Sequence, residues 1–466
     1  MISVLDLPSE VLETIIVSLS DAPLSISALS KSCGRFFSLI YETHDDYLWR
    51  RIFLARYDDP RDSDYLNVNA FDKHGWRKEY TSRAFAEDCI ARPSLIESPA
   101  SEKWLGIKRE HFPSLIESML RLCTTASPLS AANSESDSPS SINNVSKAEN
   151  EKDASLNIRQ INKLATGGHF HPLLSWLSPP YRKSAEDAIQ AACKLLAFLG
   201  PRSTVKCDRW PTSDPFEDSS CALALKYGRR RTYDMDYPER ERLFGPFIHH
   251  SHHECTPDWI QLAAIRFVCE DAALTEGVQL QLPASDLNRL RPCNWTAQRS
   301  LCPTAHNVDN LCKTERDWAG VEGAWRLFVV WLGYDSLIAF NGNMTNDEEV
   351  DSGQVHVNVA LRLRVVSYEP DPEGSPLFPV IKIEGESGGE GLEAHRVEGN
   401  VSMLSDGSVR WSIVSFADHT NAQTQWALEG VQIGGVGSAA GALGTWTGAD
   451  HEPDDPIGGW WIWRVV

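Results

Sequence analysis

The stretch VHVNVALRLRVV, residues 355–366, has a large apolar side chain at every second position from Val355 to Val365, mostly with polar residues between them. Successive side chains of a β-strand point to opposite sides, so this alternation predicts a strand with one buried side and one solvent-facing side. The apolar side consists of Val355, Val357, Val359, Leu361, Leu363 and Val365. The other, mainly polar side consists of His356, Asn358, Ala360, Arg362 and Arg364.

The same two-residue period continues on both sides of this strand. The stretch HRVEGNVSMLSDGSVRWSIVSFA, residues 395–417, reads as a hairpin turned by Asp406 and Gly407. Further strands are predicted in TQWALEGVQIGGVG, GALGTWTG and GGWWIWRVV. About eight strands in series without helical crossovers predict an antiparallel β-barrel for residues 316–466.

The preceding part of the chain has helical periodicity, so the predicted fold class is α+β with several domains. Residues 1–60 read as three short helices, 61–123 as a helical linker region and 156–315 as a mainly helical middle region. Between them, residues 124–155 are rich in Ser, Asn and Glu and contain no aromatic residue. Such a composition predicts a disordered linker.

Composition and charge limit the classes of function. The net charge of −20 argues against nucleic-acid binding, which needs a basic surface. No apolar run is long enough for a membrane span. The eleven cysteines include no Cys-x-x-Cys motif, and no secretory signal is recognisable, so we expect reduced thiols in a cytoplasmic or nuclear protein.

The N-terminal helices carry a recognisable pattern of apolar residues. It consists of Leu7, Pro8, Glu10, Val11, Leu12 and Ile15, followed by Leu19, Leu29, Cys33, Phe36, Leu48 and Trp49. In order, spacing and position this segment resembles an F-box, although the polar DAPLSIS between the first two helices departs from the pattern. The resemblance implies docking to the small adaptor that connects F-box proteins to the cullin scaffold of a cullin–RING ubiquitin ligase.

Carried over by position, five residues would line the adaptor contact: Leu7, Pro8, Val11, Leu12 and Ile15. Leu29, Cys33 and Trp49 are expected inside the helical core. The alternative is an ordinary three-helix cap that packs entirely on the rest of the chain, because short apolar helices are common in cores.

The C-terminal strands contain two Gly-x-Trp tripeptides, at residues 323–325 and 444–446. With the surrounding strand pattern they resemble the barrel-like substrate domain of some fungal F-box proteins and, more distantly, a lipocalin-like barrel. The resemblance implies that the barrel recognises a target protein. The candidate substrate-binding residues are Arg362, Arg364, Trp446 and Trp461, and the candidate mouth loops are 342–354, 384–396 and 447–459. Whether the tryptophans fill the barrel or surround a cargo stays open at this point.

Other motifs favour no catalytic function. The crowded His249, His250, His252, His253 and Cys255 lack a second pair of ligands, so we expect a polar loop and no metal site. GGVGSAAGALG has no following helix and does not form a dinucleotide fingerprint. Arg229, Arg230 and Arg231 could bind a phosphorylated target, although a solvated arginine run is more common. No nucleophile–base or phosphate-loop motif occurs, and we expect neither catalytic residues nor a cofactor.

These patterns together predict a non-catalytic F-box substrate receptor that presents an unidentified target protein for ubiquitination. The alternative is a small-molecule-binding, lipocalin-like barrel protein with a helical cap.

Overall fold

The computed structural model describes the chain in separate stretches. They are residues 4–42, 46–63, 75–92, 103–104, 107–128, 155–177, 186–204, 219–236, 244–250, 254–275, 286–292, 317–342, 354–371, 378–389, 392–418, 421–452 and 454–465. The α-helices in these stretches are α1 (Ser9–Ser18), α2 (Pro23–Ser32), α3 (Gly34–Tyr41), α4 (Tyr47–Leu54), α5 (Pro60–Ser63), α6 (Trp76–Ala91), α7 (Phe112–Thr124), α8 (Leu156–Thr166), α9 (Glu186–Thr204), α10 (Ser219–Thr232), α11 (Trp259–Thr275) and α12 (Tyr334–Gly342).

Eight antiparallel strands close into a barrel in which each strand pairs with the next, and the last pairs with the first. The strands outside the barrel are β1 (Lys103–Trp104), β2 (Ile107–Lys108), β3 (Phe247–His249) and β4 (Cys255–Pro257). The barrel strands are β5 (Gly323–Leu332), β6 (Gln354–Glu369), β7 (Val380–Gly389), β8 (Leu392–Met403), β9 (Val409–Asp418), β10 (Asn421–Gln432), β11 (Ala442–Gly448) and β12 (Gly458–Arg464). The predicted α+β fold class with a C-terminal antiparallel barrel is therefore confirmed.

One end of the barrel is filled by aromatic side chains. Trp325 and Trp411 are fully buried and meet edge to face, with ring centroids 5.3 Å apart. The Trp325 indole donates a hydrogen bond to the carbonyl of Val321, and the Trp411 indole donates to Gln432. The short segment before β5 thus crosses and seals this end, which we call the closed end.

The helices cover the outside of three barrel strands. Helix α11 lies against β5, β11 and β12. Trp461 points outward from β12 into this contact, and the Arg266 guanidinium of α11 lies 3.7 Å from the centre of its ring. Arg266 is also paired with Glu270, at 2.7 Å. Apolar residues of the N-terminal helices, the middle helices and this barrel face belong to one continuous core.

The Ser-rich stretch begins and ends at one point of this core. The Asp58 carboxylate accepts hydrogen bonds from the backbone N–H of Ser127, at 2.9 Å, and from the hydroxyl of Ser155. The Arg291 guanidinium donates to the carbonyls of Ser127 and Pro128. Residues 129–154 lie outside the described residues, so the predicted linker and domain boundaries stay predictions. Ser127 and Ser155, which flank this stretch, nevertheless both donate hydrogen bonds to the Asp58 carboxylate.

Within the described stretches, no helix combines the length and the apolar character needed to cross a membrane.

Candidate functional site

Helix α1 has one face in the core and one face in solvent. Leu12 and Ile16, one turn apart, are fully buried. Val11 and Ile15, also one turn apart, remain 42% and 39% exposed. Together with the exposed Val4, Leu5 and Pro8 they form a surface that we call the N-terminal apolar face: Val4, Leu5, Pro8, Val11 and Ile15. Val11 and Ile15 thus give α1 an apolar side that is partly exposed to solvent.

Hydrogen bonds from buried polar side chains fix the position of the end of α1. The carbonyl of Ser20, just beyond α1, accepts hydrogen bonds from the Tyr80 hydroxyl at 2.7 Å and from Arg56 at 3.1 Å. Arg56 is paired in turn with Glu87 of α6, at 2.5 Å. Burial raises the pKa of Tyr80 to about 12, so its hydroxyl stays protonated and donates at neutral pH. The exposed face therefore belongs to a helix whose orientation is fixed.

The five predicted adaptor-binding residues divide between surface and core. Pro8, Val11 and Ile15 are exposed, and Leu7 is half-buried while its carbonyl accepts a hydrogen bond from Arg35. Leu12 is fully buried, which corrects its assignment to the contact surface. Its side chain points towards the core because it lies on the same helical face as Ile16.

A second candidate site lies inside the barrel, at the end opposite the closed end. It is a cavity of about 500 Å³. Its lining residues are Leu327, Val329, Trp331, Leu332, Tyr334, Val357, Val359, Leu361, Ser387, Gly388, His395, Val397, Ile413, Ser415, Gln425, Trp426, Leu428, Trp446 and Pro456. Tyr334 and Gln425 are exposed, so the cavity reaches the surface at this end. Its size and apolar lining are typical of small-molecule sites.

The cavity has two chemically different walls. On β10, β11 and β5, Trp426, Trp446 and Trp331 meet edge to face, with ring centroids 5.1 Å and 6.2 Å apart; we call these three residues the tryptophan wall. On β7, β8 and β9 the lining includes Ser387, His395 and Ser415, which we call the polar wall. The two walls adjoin where Ser415 of β9 pairs with Trp426 of β10.

The predicted substrate-binding residues separate in the structure. Trp446 lines the cavity, and its indole donates a hydrogen bond to the carbonyl of Val330 at 3.2 Å. Trp461 is fully buried against α11 on the outside of the barrel. Arg362 and Arg364 point outward from β6, and Arg364 pairs with Glu384 of β7. These two candidate substrate-binding residues therefore lie on the outer surface of the barrel and do not line the cavity, because the alternation places Leu361 and Leu363 inside.

The prediction that three stretches form loops at the barrel mouth is only partly correct. Residues 449–457 connect β11 to β12 at the open end, and Pro456 lines the cavity. Residues 384–396 lie mainly in β7 and β8, which corrects their assignment to a loop. Residues 343–353 lie outside the described residues. Helix α12 adds Tyr334 to the cavity lining, a contribution that the sequence did not predict.

Two arginines of the basic run form ion pairs within the chain, and part of the histidine-rich segment forms a hairpin. Arg229 pairs with Asp271 at 3.1 Å, and Arg231 pairs with Asp258 at 3.2 Å, so neither guanidinium is available to a phosphate without breaking an ion pair. His249 lies opposite Cys255 in the β3–β4 hairpin. Among the described residues, no group of three or more His, Cys, Asp or Glu side chains is placed to hold a metal ion. His252 and His253 lie outside these residues.

Sequence reasoning missed most of the cavity. Trp331, Trp426, His395 and Ser415 were not singled out, because a cavity depends on how strands close around it and not on a local motif. One signal was present: His395 occupies an inward position of β8, two residues before the buried Val397. A polar residue on the apolar side of a strand can mark a binding position.

Comparison with known proteins adds no family to this description, since no family model, no curated protein and no solved structure matches the chain.

Proposed function

We propose that this chain is an F-box substrate receptor of a cullin–RING ubiquitin ligase. Its N-terminal helices would dock to the adaptor, and its barrel would hold the target protein. The chain would contribute proximity and no bond chemistry, because the ligase needs its target held near the ubiquitin-charged enzyme. The catalytic step, the cullin scaffold and the target are therefore expected on other proteins.

The observation that carries the proposal is the exposed apolar side of a firmly anchored helix. Val11 and Ile15 remain exposed although the other side of α1 is packed against α4 and held through Ser20. Leu24 on α2 and Phe37 on α3 are exposed as well. An amphipathic helix with a free apolar side suits insertion into a groove of a partner protein. The F-box-like sequence favours the adaptor as that partner.

Copurification with recombinant adaptor and cullin tests this function. We expect the wild-type chain to form a stable complex, and the double variant Val11→Asp and Ile15→Asp to lose at least about 100-fold in affinity, because two carboxylates would be buried without partners. Leu12→Asp is unsuitable as a test, since it would disrupt the core.

The matched control is Leu223→Asp, which introduces the same charge at a 42% exposed aliphatic residue of α10. It should bind the adaptor like the wild type. If the wild-type chain fails to bind the adaptor, or if the double variant binds as well as the control, the proposed function is wrong.

A second candidate function, small-molecule binding by the barrel, is favoured by the open cavity of about 500 Å³. A barrel required only as a scaffold has no need of an unfilled interior, since cores are normally close-packed. Native mass spectrometry of the full chain purified without detergent would detect a retained ligand. A mass equal to that of the bare polypeptide, together with failure to bind any added apolar probe, would exclude this function.

A further inference from the structure

The chemistry of the cavity lining defines the kind of molecule that fits it. This inference rests on the second candidate function, that the barrel binds a small molecule. We propose that the cavity takes an uncharged apolar molecule that carries one hydroxyl group, with its apolar body on the tryptophan wall and its hydroxyl on the polar wall.

The described lining of the cavity is uncharged, which disfavours an ionised ligand. No Asp, Glu, Lys or Arg side chain occurs among the described residues that line the cavity. A buried ion without a counter-charge loses its hydration and gains no ion pair. Anions are disfavoured further because residues 316–466 contain 22 acidic and 8 basic side chains.

The tryptophan wall provides the apolar contact surface. Because its three rings meet edge to face, each ring is held in place by its neighbour. The Trp446 indole N–H is already bonded to the Val330 carbonyl. Trp446 therefore offers a ligand mainly its ring surface.

The polar wall provides the partner for a hydroxyl group. The Nδ1 of His395 lies 3.2 Å from the carbonyl oxygen of Phe416, which can only accept a hydrogen bond. In the neutral ring the hydrogen is therefore on Nδ1, and Nε2 is left as an acceptor. Ser415 pairs with Val397, two residues along β8 from His395, so both side chains lie on the inner surface of adjacent strands. A ligand hydroxyl can donate to Nε2 and accept from the Ser415 hydroxyl, whereas an ether can only accept.

A matched set of fluorescent probes tests the inference on the full chain. The probes are 1-pyrenebutanol, its methyl ether, 1-pyrenebutyrate and 1-pyrenebutylamine, and binding is read as energy transfer from tryptophan to pyrene. We expect the alcohol to bind about tenfold more tightly than the ether, since one hydrogen bond is lost, and both charged probes to bind more weakly than the ether. Equal binding of the alcohol and the ether, or tighter binding of either charged probe, would overturn the inference while leaving small-molecule binding intact. No binding of any probe would also overturn the inference and, together with a native mass equal to that of the bare polypeptide, would exclude small-molecule binding itself.

Variants locate the bound probe. Val359→Phe fills the cavity and should abolish binding of the alcohol and the ether, whereas Ala360→Phe, on the outward side of the same strand, should not change it. His395→Leu should bind the alcohol and the ether equally, and His395→Gln, which keeps an acceptor, should retain part of the preference. Thermal unfolding of each variant verifies that it is folded. Retention of the full alcohol preference in a folded His395→Leu variant would contradict the assigned position of the hydroxyl.

Discussion

At the scale of single residues, neighbouring aliphatic side chains of α1 have different roles. Leu12 is fully buried, whereas Val11, the residue before it, is exposed. Both match the F-box pattern, and the sequence alone did not separate them. The distinction depends on which side of the helix meets α4, and only the packed structure provides this information.

This difference predicts that truncation of the two side chains has very unequal effects on stability. Leu12→Ala should lower the free energy of unfolding by about 2–5 kcal/mol, because it leaves a cavity in the core. Val11→Ala should change it by less than about 0.5 kcal/mol. Urea denaturation of the two variants measures both values, and equal effects would contradict the assignment of faces.

Buried tyrosines predict a loss of stability at alkaline pH. The pKa of Tyr80 is raised by burial from 10.0 to about 12, and burial also raises the pKa values of Tyr57 and Tyr233. The native state favours the neutral phenol, so this contribution is complete below pH 10 and is lost as the pH rises towards 12. Urea unfolding should show a decrease of about 1.4 kcal/mol per pH unit for each such tyrosine in this range.

The variant Tyr80→Phe isolates one of these groups. It should be less stable at pH 8, because the hydrogen bond to the Ser20 carbonyl is lost, but its stability should depend less steeply on pH above 10. An unchanged slope would show that Tyr80 does not contribute to the alkaline effect.

At the scale of elements, the barrel strands were more predictable than the site they enclose. The alternation in β6 correctly predicted that Leu361 and Leu363 are buried, and the Asp406–Gly407 turn joins β8 to β9 with Gly407 at φ 82°. Both signals are local, because a strand pattern and a turn depend on neighbouring residues. The cavity requires residues from strands far apart in the chain. No local pattern distinguishes Trp411, which fills the closed end, from Trp426, which lines the cavity.

Close contact between β10 and β11 predicts a strict requirement for glycine. A Cβ atom on Gly444 would lie 1.9 Å from the carbonyl oxygen of Glu429, whereas a Cβ on Gly333 would meet nothing within 4 Å. Gly444→Ala should therefore destabilise the protein by about 1–3 kcal/mol, because the backbone must shift. Gly333→Ala is the matched control and should change stability by less than about 0.5 kcal/mol.

The measurement is the midpoint of thermal or urea unfolding, monitored by tryptophan fluorescence. An unaffected Gly444→Ala variant would contradict the close approach of the two strands.

At the scale of the whole molecule, the flanks of residues 129–154 meet at one buried carboxylate. The Asp58 carboxylate accepts hydrogen bonds from Ser127 and Ser155, and the Arg291 guanidinium donates hydrogen bonds to the carbonyls of Ser127 and Pro128. Helices α7 and α8, which precede and follow this stretch, lie in contact. The stretch is thus inserted between two parts of one core.

We expect that residues 130–153 can be replaced by a short Gly–Ser linker without loss of the fold. The shorter loop should raise the free energy of unfolding by about 1 kcal/mol, because closing it costs less entropy. Urea unfolding and adaptor copurification measure the outcome. Asp58→Ala, in contrast, should destabilise the full-length chain, since four donors, two of them buried, lose their acceptor. Failure of the shortened chain to fold would indicate that the inserted stretch contributes to the core.

The pairing of β12 with β5 has a consequence for biosynthesis. The strand that closes the barrel is synthesised after every other described element, and its outer side also carries Trp461 and Trp463 into the helical core. Until β12 emerges from the ribosome, β5 and β11 each keep an unpaired edge, and the nascent chain is prone to aggregate and suited to chaperone binding. A premature stop codon just before Gly458 would therefore be as harmful as one near the start of the gene, since neither product could complete its folding.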